Sequence, residues 1–239
     1  MINTLALIVP LYNEELSIKR FWLEAQASGV LHLVEQIIFV DDGSSDQSWS
    51  ELEFLLNQDK RVVRIRHIEN KGVGEAVRSG VIHSSTTHSC WMPIDLSYTF
   101  KDVLTRFPVG IEDPIILFKR NNSFGWDRKL LSFVFNAVSR FVFGCTIQGQ
   151  SGMFIIRKEV FLNYMPITRR SISGSELIIR LIKSRLDIRI ENIPCYPRLI
   201  GSSKVFSFKG VIQSAFQLFA LLLLDPSLVR RSNKGFGNR

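Results

Sequence analysis

Two short polar segments hold residues that could bind a nucleotide, and each follows a hydrophobic run. The segment VDDGSSD, at residues 40–46, contains the adjacent carboxylates Asp41 and Asp42, a glycine and two hydroxyls. Carboxylates here can accept hydrogen bonds from a base N–H or a ribose hydroxyl. The alternative is a surface turn followed by an Asp or Ser helix cap.

The second segment, PLYNEE, begins at Pro10 and follows the apolar run of residues 5–9. We expect Pro10 to end the strand's hydrogen-bond ladder, because proline has no N–H to donate. Asn13 and Glu14 then open a predicted helix with apolar residues at helical spacing. Acidic residues at a helix N-terminus are also ordinary partners of the helix dipole, and that alternative stays open.

A third segment, NKGVGEAVRSG at residues 70–80, leads from a strand into a helix. Its glycines let the backbone approach a ligand closely, while Lys71 and the helix N-terminus offer positive potential to a phosphate. The segment is neither a Walker loop nor a complete dinucleotide fingerprint, so it is a weak signal by itself.

Five hydrophobic runs are predicted to form the strands that position these segments, near residues 5–9, 36–40, 62–66, 90–94 and 115–118. Strands that alternate with helical patterns predict an α/β fold, with a mostly parallel central sheet and helices on both faces. Ligands of such sheets bind at the carboxyl edge, where the three polar segments would meet.

In this order and spacing, the segments resemble the nucleotide-binding half of family 2 glycosyltransferases with the GT-A (Rossmann-like) fold, and most of all the dolichyl- and polyprenyl-phosphate sugar transferases. The resemblance covers roughly residues 4–210 and ends at the segment RLIGSSK, residues 198–204. It implies a GT-A domain over residues 1–204, with a nucleotide-sugar half over 1–118 and an acceptor half over 119–204.

The resemblance places seven residues around a UDP- or GDP-linked sugar: Pro10, Tyr12, Glu14, Asp41, Asp42, Lys71 and Gly72. The first three would line the pocket for the base and ribose, and Asp42 would contact the base with Asp41 beside it. The last two would lie near the ribose or the pyrophosphate, where a cation and bare backbone suit phosphate.

The Asp-x-Asp motif that binds a divalent metal in such transferases is incomplete, because Pro93 occupies the first acidic position and Asp95 the second. In one interpretation Asp95, Ser97 and the substrate phosphates hold Mg²⁺ or Mn²⁺. In another, catalysis is weakened or lost and the protein only binds. In a third, basic side chains replace the cation: Arg120, Arg128, Arg198 and Lys204.

Two further acidic positions bear on the acceptor. Gln148 stands where relatives usually carry an acid, and Glu176 matches a later acidic position. Glu176 is a candidate base or acceptor-side acid, or else an ordinary acid at a helix N-terminus. The predicted catalytic residues are Asp95, Glu176, Arg120 and Arg128. An acceptor phosphate is already a nucleophile and needs no strong base, which would explain the tolerance of Gln148.

Composition indicates a membrane-associated protein. The 239 residues carry a net charge of +8 and are 46% hydrophobic. Such a charge favours an anionic bilayer, and no zinc-finger, helix-turn-helix or RNP pattern indicates nucleic acid. A solvated basic face without a partner is the alternative. The run Leu218 to Leu224 is far shorter than the ~20 residues of a spanning helix. We therefore predict an amphipathic, membrane-associated tail over residues 205–239; a core helix or an oligomer contact is the alternative.

These observations lead to one predicted function and its rivals. The chain would move a sugar from a nucleotide diphosphate to a polyprenyl phosphate, with inversion, on the cytoplasmic face of the cell membrane. Arg120 or Arg128 would hold the acceptor phosphate. The rivals are transfer to a sugar hydroxyl in cell-envelope polysaccharide or lipopolysaccharide assembly, a nucleotide-sugar-binding homologue without turnover, and, last, a nucleic-acid binder.

Overall fold

Seven strands form one central sheet in the order β3-β2-β1-β4-β6-β5-β7. The computed structural model describes residues 3–107, 115–121, 137, 139–144, 150–169, 173–197, 221 and 225. The strands are β1 (Leu5–Leu11), β2 (Gln36–Asp41), β3 (Val62–Arg66), β4 (His88–Trp91), β5 (Ile115–Arg120), β6 (Gln150–Arg157) and β7 (Ile188–Ile193). Six run in the same direction, and β6 is antiparallel to both of its neighbours.

Helices cover both faces of the sheet, as predicted. They are α1 (Glu15–Ala27), α2 (Ser48–Gln58), α3 (Val73–His83), α4 (Phe100–Leu104), α5 (Lys158–Asn163) and α6 (Ser173–Lys183), with a short 3₁₀ turn at Leu31–Leu33. Helices α1, α2 and α4 pack on one face, and α3, α5 and α6 pack on the other. Strand β1 contributes to both cores, because Leu5 and Leu7 face the first while Ala6 and Ile8 face the second.

Strand β1 does not end at Pro10, so that prediction was wrong. The strand continues to Leu11, and Pro10 pairs with Val40 of β2 in the parallel register. Even-numbered residues of β1 turn their backbone groups towards β4, as the bond from the Met92 N–H to the Ile8 carbonyl shows. Pro10 faces the same side, beyond the end of β4 at Trp91. The missing N–H therefore costs no ladder bond.

Strand β4 spans His88–Trp91 and not the predicted 90–94. The chain leaves the ladder before Pro93, and Leu96 then adopts a left-handed backbone with φ 55°, which marks a turn. Two strands were also missing from the prediction. Strand β6 inserts antiparallel between β4 and β5, and β7 forms the outer edge beside β5.

The strand order places a topological switch point between β1 and β4, where a crevice is expected at the carboxyl edge of the sheet. From β1 the chain moves outward through β2 and β3, and then returns to place β4 on the opposite side of β1. The loops that follow β1 and β4 therefore diverge, and such a switch point is where open α/β sheets bind ligands. Strands β5 and β7 end at the same edge, because both run parallel to β1.

The predicted tail, residues 205–239, lies outside the described residues except at two positions. Leu221 is fully buried in the core beneath α6. The Asp225 carboxylate lies 2.9 Å from Nη2 of Arg180 on α6. Within the part of the chain that the structure describes, no helix is both long and apolar enough to cross a membrane.

His88 is a buried histidine at the start of β4. Its ring stacks edge-on against Phe107, and its Nδ1 lies 2.9 Å from the Thr87 hydroxyl. Burial, and secondarily the charge of Arg157 on β6, lowers the pKa of His88 to about 4. The ring is therefore neutral in the folded protein at neutral pH.

This lowered pKa predicts acid-sensitive stability. Between the ordinary histidine pKa of about 6.5 and the folded value, the unfolded chain binds a proton that the folded chain does not, so stability falls as the pH falls. We expect His88 to contribute a loss of up to about 3 kcal/mol between pH 7 and pH 4. Urea unfolding across this range should show a flatter profile for His88→Gln. The matched control is His83→Gln, an exposed histidine; an unchanged slope in His88→Gln would contradict the prediction.

Candidate functional site

The carboxyl edge gathers the residues that the sequence placed around a nucleotide. Pro10 is buried within β1, Tyr12 is 37% exposed, and Glu14 is half-buried just before α1. Asp41 and Asp42 are buried where β2 ends. Lys71 is exposed, and Gly72 immediately precedes α3. The sheet thus brings all seven residues to one edge, while their contacts with a nucleotide stay a prediction.

Hydrogen bonds tie the loop after β1 to the loop after β2. The Asn13 N–H donates to the Ser44 hydroxyl at 2.9 Å, and the Ser45 N–H donates to the Asn13 side-chain oxygen at 2.8 Å. The Glu14 N–H donates to the Ser48 hydroxyl at 2.9 Å. Asn13 has φ 53°, a left-handed conformation that asparagine tolerates better than most residues. The two loops therefore form one rigid wall of the crevice.

Asp41 is a fully buried carboxylate. Its Oδ1 accepts a hydrogen bond from the Ser44 N–H at 2.9 Å. Its Oδ2 lies 3.3 Å from Nε of Arg66, although no hydrogen bond to this oxygen forms. The Arg66 side chain is 46% exposed and its guanidinium lies 5.3 Å from the ring centroid of Trp49. Asp41 is thus held by one backbone N–H and one adjacent cation.

Asp42 accepts three hydrogen bonds from the residues that follow β3. Nδ1 of His67 lies 2.7 Å from its Oδ1, the Lys71 N–H donates to the same oxygen at 3.0 Å, and the Gly72 N–H donates to Oδ2 at 2.7 Å. Buried charges are tolerated when they are hydrogen-bonded in this way. The carboxylate therefore holds the turn of residues 67–72 at the end of β2 and fixes where α3 begins.

Two glycines let that turn close. Gly43 has φ 76°, and a Cβ on it would lie 2.5 Å from the carbonyl carbon of Glu69 and 2.8 Å from the nitrogen of Asn70. Gly72 has φ 96°, in the left-handed region that side chains disfavour. Any side chain at Gly43 would push the turn away from Asp42.

The candidate metal residues share one turn after β4. The Ser97 N–H donates to Oδ1 of Asp95 at 3.0 Å, Asp95 is half-buried, and Ser97 is 8% exposed. Across the described ranges, no three His, Cys, Asp or Glu side chains cluster as metal ligands would. One carboxylate and one hydroxyl therefore fit an ion shared with a donor diphosphate, because Mg²⁺ commonly binds one or two carboxylates together with substrate phosphates.

Arg120, at the end of β5, lies at the same corner as Asp95. Burial raises the pKa of the Tyr98 hydroxyl, Cys195 raises it further, Arg120 lowers it and Asp95 raises it. The Asn121 N–H, next to Arg120, donates to the Ile193 carbonyl at 3.0 Å, which holds the end of β5 beside the end of β7. The Tyr196 N–H also donates to the Ser97 carbonyl at 2.9 Å, which joins the end of β7 to the Asp95 turn. Arg128, Gln148, Arg198 and Lys204 lie outside the described residues.

Glu176 is fully buried in the first turn of α6. Its Oε1 accepts bonds from the Ile167 N–H and from Nε of Arg180, both at 2.8 Å. Its Oε2 accepts bonds from the N–H of Thr168 at 2.9 Å and from the Thr168 hydroxyl at 2.5 Å. This geometry suits the structural alternative, an acid at a helix N-terminus. The role of base stays a prediction, and burial does not favour it.

Two contacts between α3 and the segment that leads into α6 were not predicted from the sequence. The Glu75 N–H of α3 donates to the Arg169 carbonyl at 2.8 Å. A Cβ on Gly74 would lie 2.0 Å from the Ser173 hydroxyl oxygen, so α3 and the start of α6 touch there. The glycines of the third polar segment predict a close approach of the backbone to a ligand, and at Gly74 the structure places α6 there instead.

Comparisons with known proteins agree with this arrangement. A family model described as glycosyl transferase family 2 matches residues 6–161. The undecaprenyl-phosphate 4-deoxy-4-formamido-L-arabinose transferase of Proteus mirabilis (strain HI4320) is 26% identical over 232 residues, covering 94% of this chain and 69% of the relative. The bactoprenol glucosyl transferase of Shigella phage SfX is 31% identical over 117 residues, covering 48% of this chain and 33% of the relative.

Solved structures of glucosyl-3-phosphoglycerate synthase from Mycobacterium tuberculosis share the fold. The complex with Mn²⁺, UDP and glucosyl-3-phosphoglycerate has a TM-score of 0.67 at 18% identity, over 93% of this chain and 79% of that chain. The complex with Mn²⁺ and UDP-glucose has a TM-score of 0.66 at 20% identity, over 93% and 78%. This likeness confirms the predicted GT-A fold.

The burial of Glu176 predicts a stability effect. Glu176→Gln removes the charge that pairs with Arg180 and places an amide NH₂ against a backbone N–H, of Ile167 or of Thr168, to which it cannot bond. We expect the free energy of unfolding to fall by about 3 kcal/mol, the cost of breaking a buried pair. Chemical denaturation should measure it. The control is Glu159→Gln, an exposed acid in the first turn of α5; equal stability of the two variants would rule out the structural role.

Proposed function

The chain belongs to glycosyl transferase family 2 and is a glycosyltransferase, and we propose that it transfers a sugar from a nucleotide diphosphate to a polyprenyl phosphate. The observation that carries the donor half of this proposal is the convergence of seven nucleotide-site residues on the β1/β4 switch point. The acceptor half is supported by two relatives whose names specify undecaprenyl phosphate and bactoprenol.

The donor would lie across the carboxyl edge. Glu14, Asp41 and Asp42 supply acidic oxygens on the side of the base and ribose. The exposed amine of Lys71 and the N-terminus of α3 supply positive potential for the diphosphate. Asp95 and Ser97 would hold Mg²⁺ or Mn²⁺ together with that diphosphate. When bound, the ion neutralises negative charge on the leaving group.

The acceptor would approach from the side of β5, where Arg120 can hold an anionic phosphate. An oxygen of the acceptor phosphate forms a bond to the anomeric carbon, while the bond from that carbon to the donor's diphosphate oxygen breaks. The electron pair leaves with the nucleoside diphosphate, and no proton must be removed from the acceptor. Attack opposite to the leaving group inverts the anomeric centre, as the family resemblance implies.

Transfer to a sugar hydroxyl is the second candidate reaction. It needs a general base within hydrogen-bond reach of the hydroxyl proton. Glu176, the residue proposed for that task, is enclosed by Ile167, Thr168 and Arg180. This geometry favours the phosphate acceptor. A nucleotide-sugar-binding protein without turnover is the third candidate, motivated by Pro93 in the Asp-x-Asp motif.

We place the reaction at the inner face of the cell membrane, where the polyprenyl chain would stay in the bilayer. The net charge of +8 would attract anionic headgroups. The tail over residues 205–239, as an amphipathic helix, would add apolar contact with the interface. Burial of Leu221 places at least one of its apolar side chains against the protein, so part of the tail would serve as a docking element for the domain.

Nucleotide titration tests the donor half. Isothermal titration with UDP, GDP and their common sugars should show binding of one nucleotide that strengthens in Mn²⁺. We expect Asp95→Asn to weaken the Mn²⁺-dependent part at least tenfold, because the variant loses the remaining acidic ligand. Asp102→Asn, an acid in the first turn of α4, is the control. A nucleotide affinity that changes neither with Mn²⁺ nor in Asp95→Asn would overturn the metal assignment. No binding of any nucleotide would overturn the donor site.

Acceptor kinetics test the other half. With undecaprenyl phosphate in detergent micelles, Arg120→Ala should raise the acceptor KM about tenfold or more, the loss expected for one charge-assisted bond. The affinity for the nucleotide should change less than twofold. Lys101→Ala, an exposed cation on α4, is the control. An acceptor KM unaffected by Arg120→Ala, or transfer only to sugar hydroxyls, would contradict the proposal.

A further inference from the structure

We propose that His67 is a positioning residue for the nucleotide site, which it orients through Asp42 while being held in place by Ser79. The inference rests on the proposed function, because it concerns how the donor pocket keeps its shape. No part of the family resemblance pointed to His67 or Ser79.

The His67 ring is clamped between two side chains. Its Nδ1 lies 2.7 Å from Oδ1 of Asp42, and its Nε2 lies 2.9 Å from the Ser79 hydroxyl on α3. The His67 N–H also donates to the Asp41 carbonyl at 2.8 Å, which extends the pairing of β3 with β2 by one residue. The residue is 8% exposed, so these contacts replace most of its hydration.

The two side-chain contacts give each ring nitrogen one hydrogen-bond partner. An ionised carboxylate can only accept, so Nδ1 carries the hydrogen that points to Asp42. In the neutral ring Nε2 accepts from the Ser79 hydroxyl, and in the doubly protonated ring it donates to that hydroxyl. Helix α3, β3 and β2 are thereby joined through one imidazole. The order Ser79, His67, Asp42 has the connectivity of a hydrolase triad, but here Asp42 also binds the backbone N–H groups of Lys71 and Gly72.

His67 affects the donor pocket because it shares an oxygen of Asp42 with the backbone of the turn before α3. Oδ1 of Asp42 accepts from both His67 and the Lys71 N–H, and Oδ2 accepts from the Gly72 N–H. Without the imidazole, the carboxylate can rotate or take up water, and the N–H groups that it holds would shift with it. The base-side carboxylate and the start of α3 would then lose their common alignment.

Three substitutions that remove the two ring contacts separately or together test this role. The Asn side-chain nitrogen occupies the position that corresponds to Nδ1, so His67→Asn keeps a donor for Asp42. His67→Leu removes both contacts, and Ser79→Ala removes only the outer one. His83→Gln is the control on α3, because His83 is exposed and its Nδ1 bonds the Ser79 carbonyl and not the Ser79 hydroxyl.

We expect His67→Leu to weaken binding of whichever of UDP and GDP the wild type binds about tenfold, the factor that corresponds to ~1.4 kcal/mol. His67→Asn and Ser79→Ala each keep a donor to Asp42 and lose the outer contact, so we expect both to weaken binding only about threefold. In turnover, the donor KM should rise while kcat and the acceptor KM change less than twofold. Isothermal titration and steady-state kinetics give these values, and thermal unfolding is recorded for each variant.

The outcomes separate this inference from the proposed function. If the wild type binds a nucleotide and His67→Leu binds it with the same affinity, the role of His67 is overturned and the proposed function stands. If His67→Leu does not fold, Ser79→Ala provides the test. Unchanged nucleotide affinity in Ser79→Ala would overturn the inference, and weakened affinity would support it. A wild type that binds neither nucleotide would overturn the proposed function itself.

Discussion

The structure depends on satisfying two adjacent buried carboxylates at the end of β2. Removing Asp41 and Asp42 from water is costly unless hydrogen-bond donors surround them. The chain supplies those donors from several segments: the turn after β2, the end of β3 and the start of α3. The pocket wall is therefore built by the same bonds that make the burial tolerable. Losing one donor would disturb elements that are distant in sequence.

The loop after β1 is held in place by the loop after β2. Asn13 exchanges bonds with Ser44 and Ser45, so the hydroxyls of the acidic segment support the loop after β1. The alternative interpretation of residues 40–46, a polar turn before a helix, is thus partly correct. The hydroxyls of Ser44 and of the nearby Ser48 accept hydrogen bonds from backbone N–H groups of the loop after β1. The same segment therefore supports the loop after β1 through its serines and the turn after β3 through Asp42.

Runs of apolar residues made part of the central sheet predictable from the sequence. Runs such as residues 5–9 and 37–40 are apolar at every position, which is typical of strands covered on both faces. Strand β7 was missed because it is an edge strand with charged positions, IRIENI, and β6 because its antiparallel insertion depends on tertiary pairing. His67 was missed for the same reason: its contact with Asp42 exists only once β3 pairs with β2.

The placement of Glu176 bears on which acceptor chemistry the site can support. A base must reach the proton that it removes, and Glu176 would first have to give up Arg180 and the amides of residues 167 and 168. Asp95 would then be the remaining predicted catalytic acid, and it could not act as base while neutralised by a shared metal ion. A phosphate acceptor removes this conflict, because its nucleophilic oxygen is already ionised. The proposed metal role of Asp95 and the burial of Glu176 therefore favour the same class of acceptor.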